Sequence, residues 1–379
     1  MSFETRTVME QRLELVRLAL QPGANITCLS KRFQVSRRVC YKWMKRYREQ
    51  GVEGLKDQSK RPRSSPNQTI KEVEAQIIFL RKRYPAWGAR KLRAVLKKQQ
   101  ASVIPSSSTI TSILHRYDLI LPEKTEKQKP PKRFEYESPN ELWQMDFKGQ
   151  FRLLNKAWCY PLTVLDDHSR FSVCLQALLN QRSLSVKQQL TAIFRRYGLP
   201  DKILTDNGSP WGTAGNINAG GDTALSMLAI WLMRLNIKLI HGRAYHPQTQ
   251  GKEERFHRTL KESLLQYEQF KNIQHCQRSF DRWRNHYNLE RPHEAIGYKT
   301  PSELYTHSNR CFPESLPGVE YPAGDEVRRV CANGCISYKG RKLKIGKGFT
   351  DQFVAIRNTA TEKQKEIYFC NQKIKDIIL

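Results

Sequence analysis

The spacing of apolar positions changes along the chain, and the change divides it. In "MEQRLELVRLAL" (residues 9–20), Met9, Leu13, Val16 and Leu20 recur at helical spacing. In "NITCLSKRFQVSRRVCYKWMKRYREQG", Leu29 and Phe33 form a short apolar face, a tight turn is expected at Gln34-Val35, and Ser36 suits an N-cap. The helix after it turns Val39, Trp43 and Tyr47 inward, so residues 1–55 read as a helix-turn-helix unit. Residues 68–121 give a second helical unit. It has a helix over 69–83, one with Leu92, Val95 and Leu96 inward, and one after Ser106–Ser108 with Ile110, Ile113 and Leu114 inward. The polar, Pro-rich stretches 56–67 and 122–135 read as linkers.

Beyond residue 135 strand-like runs appear: "LWQMDFKGQFRLL", "AWCYPLTVLDD" and "RFSVCLQAL". A helix follows with Val186, Leu190, Ile193 and Phe194 inward. Next come the short strand "DKILT", the apolar helix "TALSMLAIWLMRL", the strand "IKLIHG" and a basic amphipathic helix from Gly251. That order predicts a mixed α/β sheet over 136–307 and excludes a doubly wound one. Residues 325–379 break into six short strands with turns every eight to twelve residues, which predicts a small β-barrel. The expected chain is multidomain: N-terminal all-α helix-turn-helix units, a central α/β core and a small C-terminal β-barrel.

Charge adds a partner. The 379 residues hold 65 Lys/Arg against 36 Asp/Glu, a net +29. Such an excess calls for a polyanion, nucleic acid first and an anionic membrane second. Residues 1–135 hold 30 Lys/Arg against 12 Asp/Glu and carry most of the excess. Arg37, Arg38, Lys42, Lys45 and Arg46 form the outward face of the second helix of the helix-turn-helix, placed to enter a major groove or, alternatively, simply solvated. Lys60, Arg61 and Arg63 make the first linker either a DNA-following arm or a plain tether. Arg90 and Lys91 give the second helical unit its own DNA contacts. The nine Cys include no CxxC pair and read as reduced thiols of an intracellular protein. The first residues lack the apolar core of a signal peptide, and "MLAIWLM" is far too short to span a membrane.

Three acids stand out by position. Asp146 interrupts the apolar run "LWQMDFKG", where a charge is costly unless paired or bound to a metal. Asp206 ends "KILTDNG", and ligand sites in α/β sheets gather at the carboxyl ends of strands. Glu253 and Glu254 open the basic helix. Three converging carboxylates in a basic protein suit hard divalent cations and two-metal phosphoryl transfer. Each acid also has a plainer reading: an arginine partner for Asp146, turn chemistry for Asp206, a helix N-terminus for the glutamates.

Together "WQMDF", "LTDNG", "YHPQTQGKEERFHRTLK" and "YNLERPHEAIGYKTP" resemble the DDE-type insertion-sequence transposases, whose core is similar to that of retroviral integrases. The resemblance runs over nearly the whole chain. It implies an RNase H-like core, a triad at Asp146, Asp206 and Glu254, two Mg²⁺ (or Mn²⁺) ions per site, and DNA cleavage followed by strand transfer. It also implies binding to the element's terminal inverted repeats and to target DNA, a homo-oligomer, and a bacterial cytoplasmic setting. Between the glutamates, the apolar stripe Phe256, Leu260, Leu264 and Tyr267 runs under Glu253 and leaves Glu254 at its edge, in line with Arg258 and Lys261. The motif, with glutamate before Arg-Phe-His, favours Glu254, and Glu253 remains a second acid. His246, Gln248 and Lys252 are expected either near the metal site and DNA end or simply shaping the loop, and Arg258 and Lys261 at DNA. Asp167 is expected in a turn, and Arg291 and His293 either at DNA or capping helices. A hydrolytic nuclease and a transposase-derived DNA-binding regulator stay open as rivals.

Overall fold

A computed structural model describes residues 7–58, 68–101, 103–120, 135–207, 209–211, 225–242, 251–359 and 364–378. They form two compact units, Met1–Gln68 and Thr69–Leu379. In the first unit Thr7 caps α1 (Val8–Ala19) in a capping box with Glu10, and Asn25 caps α2 (Ile26–Arg32). Gln34 makes the tight turn at φ 52°, and Ser36 Oγ accepts from Val39 N at 3.3 Å to start α3 (Arg37–Gln50). Leu15, Val16, Cys40, Trp43 and Leu55 are its core.

The second unit opens with α4 (Lys71–Arg83), α5 (Ala89–Lys98) and α6 (Ser107–Arg116), closed around Ile77, Trp87, Leu92, Leu96 and Ile110. The central sheet follows. It comprises β1 (Leu142–Phe147), β2 (Phe151–Arg152), β3 (Trp158–Asp166) and β4 (Ser172–Leu178), then α7 (Ser183–Tyr197), β5 (Lys202–Thr205), α8 (Met227–Arg234) and β6 (Lys238–His241). Strand order is β4-β3-β1-β5-β6, with β2 also pairing β3. β1 is antiparallel to β3 and parallel to β5, the mixed sheet expected. α7 and α8 bury one face, over Trp143, Met145, Leu162 and Val164. α9 (Gly251–Leu260) and α10 (Ile273–Leu289) bury the other, over Leu165, Leu175 and Ala177.

The α4–α6 group docks on this second layer. Tyr84 and Trp87 stack at 4.0 Å, and His286 of α10 stacks on each, at 4.9 and 5.4 Å. The Tyr84 hydroxyl donates to Glu290 at 2.7 Å, and Arg90 pairs with Glu294 at 2.8 Å.

The C-terminal strands are β7 (Glu326–Arg329), β8 (Cys335–Tyr338), β9 (Arg341–Lys344), β10 (Phe353–Asn358), β11 (Gln364–Phe369) and β12 (Gln372–Ile378). All six match the expected runs, but they do not close into a barrel. Among the described residues they make an open antiparallel sheet, β12-β11-β10-β7, and a separate β8-β9 hairpin. Closure would need β12 and β7 to pair. Instead the apolar face bearing Val354, Ile356, Ile367 and Phe369 packs with Ile336 and Tyr338 of the hairpin and with Ile230 and Met233 of α8. The approach to α8 is close: a Cβ on Gly348 would lie 2.2 Å from the Leu225 carbonyl oxygen.

Candidate active site

Strand alternation aims Asp146. Trp143, Met145 and Phe147 pack toward α7 and α8, so Gln144 and Asp146 face α9. Thr163 lies directly across from Asp146 on β3. Asp146 Oδ1 accepts from Phe147 N at 2.7 Å, and its side chain keeps 24% exposure. Burial pushes its carboxyl up to about 6, and the charges of Asp206 and Glu254 push the same way against the Phe147 hydrogen bond. Asp206 follows β5 at its carboxyl end. Burial raises it too, while a hydrogen bond from the Trp211 side chain and the nearby His241 oppose the rise. Asn207 Nδ2 donates to the Gly242 carbonyl at 2.8 Å, which ties the end of this loop to the chain beyond β6.

The two glutamates part company. Glu254 is exposed on the first turn of α9. Glu253 is 1% exposed, above Thr163. The Thr163 hydroxyl sits 3.0 Å from the Asp146 carbonyl oxygen, 3.1 Å from Glu253 Oε2 and 2.9 Å from His257 Nε2. Glu253 Oε1 is buried with no hydrogen-bond partner. Burial first, and Asp146 second, raise the Glu253 carboxyl well above the usual carboxylate range, against the Thr163 hydrogen bond. Burial and Lys148 drive His257 down to about 3, so its ring is neutral, with Nδ1 3.9 Å from Asp146 Oδ2. Thr163 and His257 went unnoticed in the sequence. The available signals were the i, i+4 spacing of Glu253 and His257 and the cross-strand position of Thr163.

Arg258 on α9 and Lys261 just past its end are exposed, and Lys261 helps burial to lower the Lys148 ammonium. The expected apolar stripe holds through Phe256, Leu260 and Leu264 but not to Tyr267, which is 77% exposed. The reason is a π-helical turn over Lys261–Leu265, which shifts the register after Leu260. Lys252 pairs with Asp167 at 2.5 Å, and Asp167, in the turn after β3, also accepts from Gln144 and Tyr136 N. In the first unit Arg37, Arg38, Lys42 and Lys45 are exposed on α3, and Arg46 lies over the Trp43 ring at 5.2 Å. Arg90 is engaged by Glu294, and Lys91 is largely buried nearby. His246, Gln248, Lys60, Arg61 and Arg63 lie outside the described residues. Among the described residues, no three Asp, Glu, His or Cys side chains stand close enough to hold a metal ion, and no helix is long and apolar enough to cross a membrane.

Two family models described as "Integrase core domain" match residues 137–247 and 235–301. A helix-turn-helix domain matches 11–63, a homeodomain-like domain 39–114, and the C-terminal domain of IS481 family transposases 325–379. The 31.7 kDa protein of insertion element IS407 from Burkholderia multivorans is 29% identical over 167 residues, 44% of this chain and 56% of that protein. The 39.2 kDa protein of insertion element IS476 from Xanthomonas euvesicatoria is 24% identical over 257 residues, 66% of this chain and 69% of that protein. The chain thus spans just over half the length of the first relative. A solved chain of the simian T-cell lymphotropic virus intasome, in complex with a PP2A regulatory subunit, aligns at TM-score 0.38 and 14% identity, over 80% of this chain and 99% of that one. The overlap at that score is loose, and the sequence matches carry the relationship: the chain is similar to insertion-element proteins and matches the integrase core domain and a transposase C-terminal domain.

Proposed function

We propose that this protein is a DNA transposase that uses Asp146, Asp206 and Glu254 to hold two divalent cations, Mg²⁺ or Mn²⁺, and cuts and joins DNA strands there. One observation carries the reading. Asp146, from a strand at the centre of the sheet, sits half-buried within the field of two further acids, Asp206 and Glu254, from distant parts of a chain of net charge +29. That mutual repulsion is a cost with no protein cation paired to Asp146 among the described residues, and it is what a cation site requires. The donor set fits: all three groups offer carboxylate oxygens, as a hard ion prefers. Holding an ion requires the three to draw closer than they stand here.

When bound, the cations supply Lewis acidity for an in-line displacement at phosphorus. The chain's own residues do the rest. Asp146 is fixed by β1 and by its hydrogen bond from Phe147 N. Buried Glu253 accepts from the Thr163 hydroxyl beneath it, on the side of α9 turned to the sheet. Arg258, one turn on from Glu254 along α9, and Lys261, just past the end of that helix, would grip phosphates flanking the scissile bond. The exposed cations of α3 would read the element's terminal inverted repeats, with a second contact to target DNA made by the core. Two ends must be held together, so the working form is a homo-oligomer, in the bacterial cytoplasm.

The test uses linear duplex carrying the gene's own flanks. Full-length protein with Mg²⁺ should give nicks at defined positions and joined products, both lost with EDTA and with Asp206→Asn. Products that survive EDTA, or nicks never followed by joining, would remove the transposase reading.

A further inference from the structure

Beside Asp146 stands a histidine that the three-carboxylate site leaves without a role. The Thr163 hydroxyl lies 3.0 Å from the Asp146 carbonyl oxygen, 3.1 Å from Glu253 Oε2 and 2.9 Å from His257 Nε2. It has one proton, and the carbonyl can only accept, so that proton goes to oxygen. His257 Nε2 must then be the donor in its own contact with Thr163 Oγ1. Glu253 Oε2, 3.5 Å from the same nitrogen, draws the ring proton to that side as well. A neutral imidazole carries a single N–H, so Nδ1 is left with a bare lone pair. Nδ1 stands 3.9 Å from Asp146 Oδ2, and neither atom has a hydrogen bond among the described residues. Two acceptors are thus neighbours with no donor between them, a cost that a shared cation removes. The ring keeps 13% exposure and the carboxyl 24%, so the gap is open to an ion from solvent. Sequence spacing points the same way. Glu254 and His257 are three residues apart on α9, the Glu-x-x-His pattern by which one helix offers a carboxylate and an imidazole to the same metal centre.

We propose that His257 Nδ1 is a ligand of the divalent cation held by Asp146 and Glu254, which gives that ion one nitrogen among carboxylate oxygens. Two ligands each about 2.1 Å from one ion can stand up to about 4.2 Å apart, so the 3.9 Å between Nδ1 and Asp146 Oδ2 is within the span of a single ion. The assignment rests on the two-cation reading above and deepens it. Imidazole suits a first-row transition ion better than Mg²⁺, so the ion at Asp146 is best served by Mn²⁺. Thr163 gains a definite task as well: it accepts the Nε2 proton and so fixes which nitrogen is bare.

Pulsed electron paramagnetic resonance of the full-length protein, loaded with less than one equivalent of Mn²⁺ and without DNA, reads the ligand directly. The wild type should show modulation from a bound nitrogen nucleus. The pattern should change in protein grown with histidine that carries the heavy nitrogen isotope. His257→Gln should lose the nitrogen modulation and bind Mn²⁺ about tenfold more weakly, with a smaller loss for Mg²⁺ in competition. Should that variant fail to fold, His241→Gln and His246→Gln decide, and both must keep the modulation. Mn²⁺ bound without nitrogen modulation would overturn the ligand and leave carboxylates alone at the site. Modulation that survives His257→Gln, or that vanishes in either other variant, would place the nitrogen elsewhere and overturn it too. Failure of the wild type to bind Mn²⁺ at all would count against the cation reading itself.

Discussion

Glu253 and Glu254 share a helix turn and almost nothing else. One is sealed against the sheet and hydrogen-bonded to Thr163, its carboxyl pushed up by burial; the other stands in solvent at the rim, close enough to Asp146 to repel it. A helix advances 100° per residue, so one step moves a carboxyl from the core layer to the site. Both carboxyls are negative on paper, and only the packing of Phe256 and Leu260 decides which is available as a ligand. The comparison teaches that two adjacent acids on one helix turn can have opposite surroundings, which residue type alone does not reveal.

The largest expected effect separates the two. Glu254→Gln should reduce Mg²⁺-dependent cleavage by about 10³-fold or more, while Glu253→Gln, which matches the protonated form in shape and charge, should stay within about tenfold of wild type. Single-turnover cleavage rates measure both. Equal losses would erase the distinction between the faces.

Asp146 sharpens it through stability. Its folded value of about 6 lies above the ordinary 3.8, so the native state holds this proton more tightly than the unfolded chain does. The stability this confers is complete below about pH 4 and is lost as pH rises through about 6. Asp146→Asn should therefore be more stable than wild type in metal-free buffer at neutral pH, by on the order of 2–3 kcal/mol, and no more stable at about pH 4. Urea midpoints across that range would reveal it; a pH-independent difference would contradict the shift.

Much of this arrangement was legible beforehand. Asp146 betrays itself as the charged residue on an otherwise apolar strand, and the alternation of Trp143, Met145 and Phe147 fixes its face. Ser36, the six C-terminal strands and the inward residues of the helices follow from short-range patterns of the same kind. What was not legible depends on partners distant in sequence. The basic α5 looks free to meet DNA, yet Tyr84, Trp87 and Arg90 are engaged by His286 and Glu294, some two hundred residues away. The C-terminal strands look ready to close on themselves, but their apolar face is already covered by α8 and a hairpin. The π-turn after Leu260 leaves no periodic mark, so the stripe was carried one residue too far, to Tyr267.

Two smaller effects probe each face in turn. Thr163→Val removes the hydroxyl that lies within hydrogen-bond distance of Glu253, His257 and the Asp146 carbonyl, and should cost about 1–3 kcal/mol in urea unfolding because these groups lose a buried hydrogen-bond partner. On the exposed face, Arg258→Gln should lower the salt slope of duplex binding by about 0.9 while leaving the metal requirement of cleavage intact. An unchanged slope would take Arg258 off the DNA.

The most direct measurement is Mn²⁺ binding by the full-length protein, followed by the loss of the free ion's paramagnetic resonance signal. The three-carboxylate site predicts that Asp146→Asn, Asp206→Asn and Glu254→Gln each weaken binding by about tenfold or more, and that Glu253→Gln binds as wild type does. Wild-type binding by Glu254→Gln, or its loss in Glu253→Gln, would contradict that assignment.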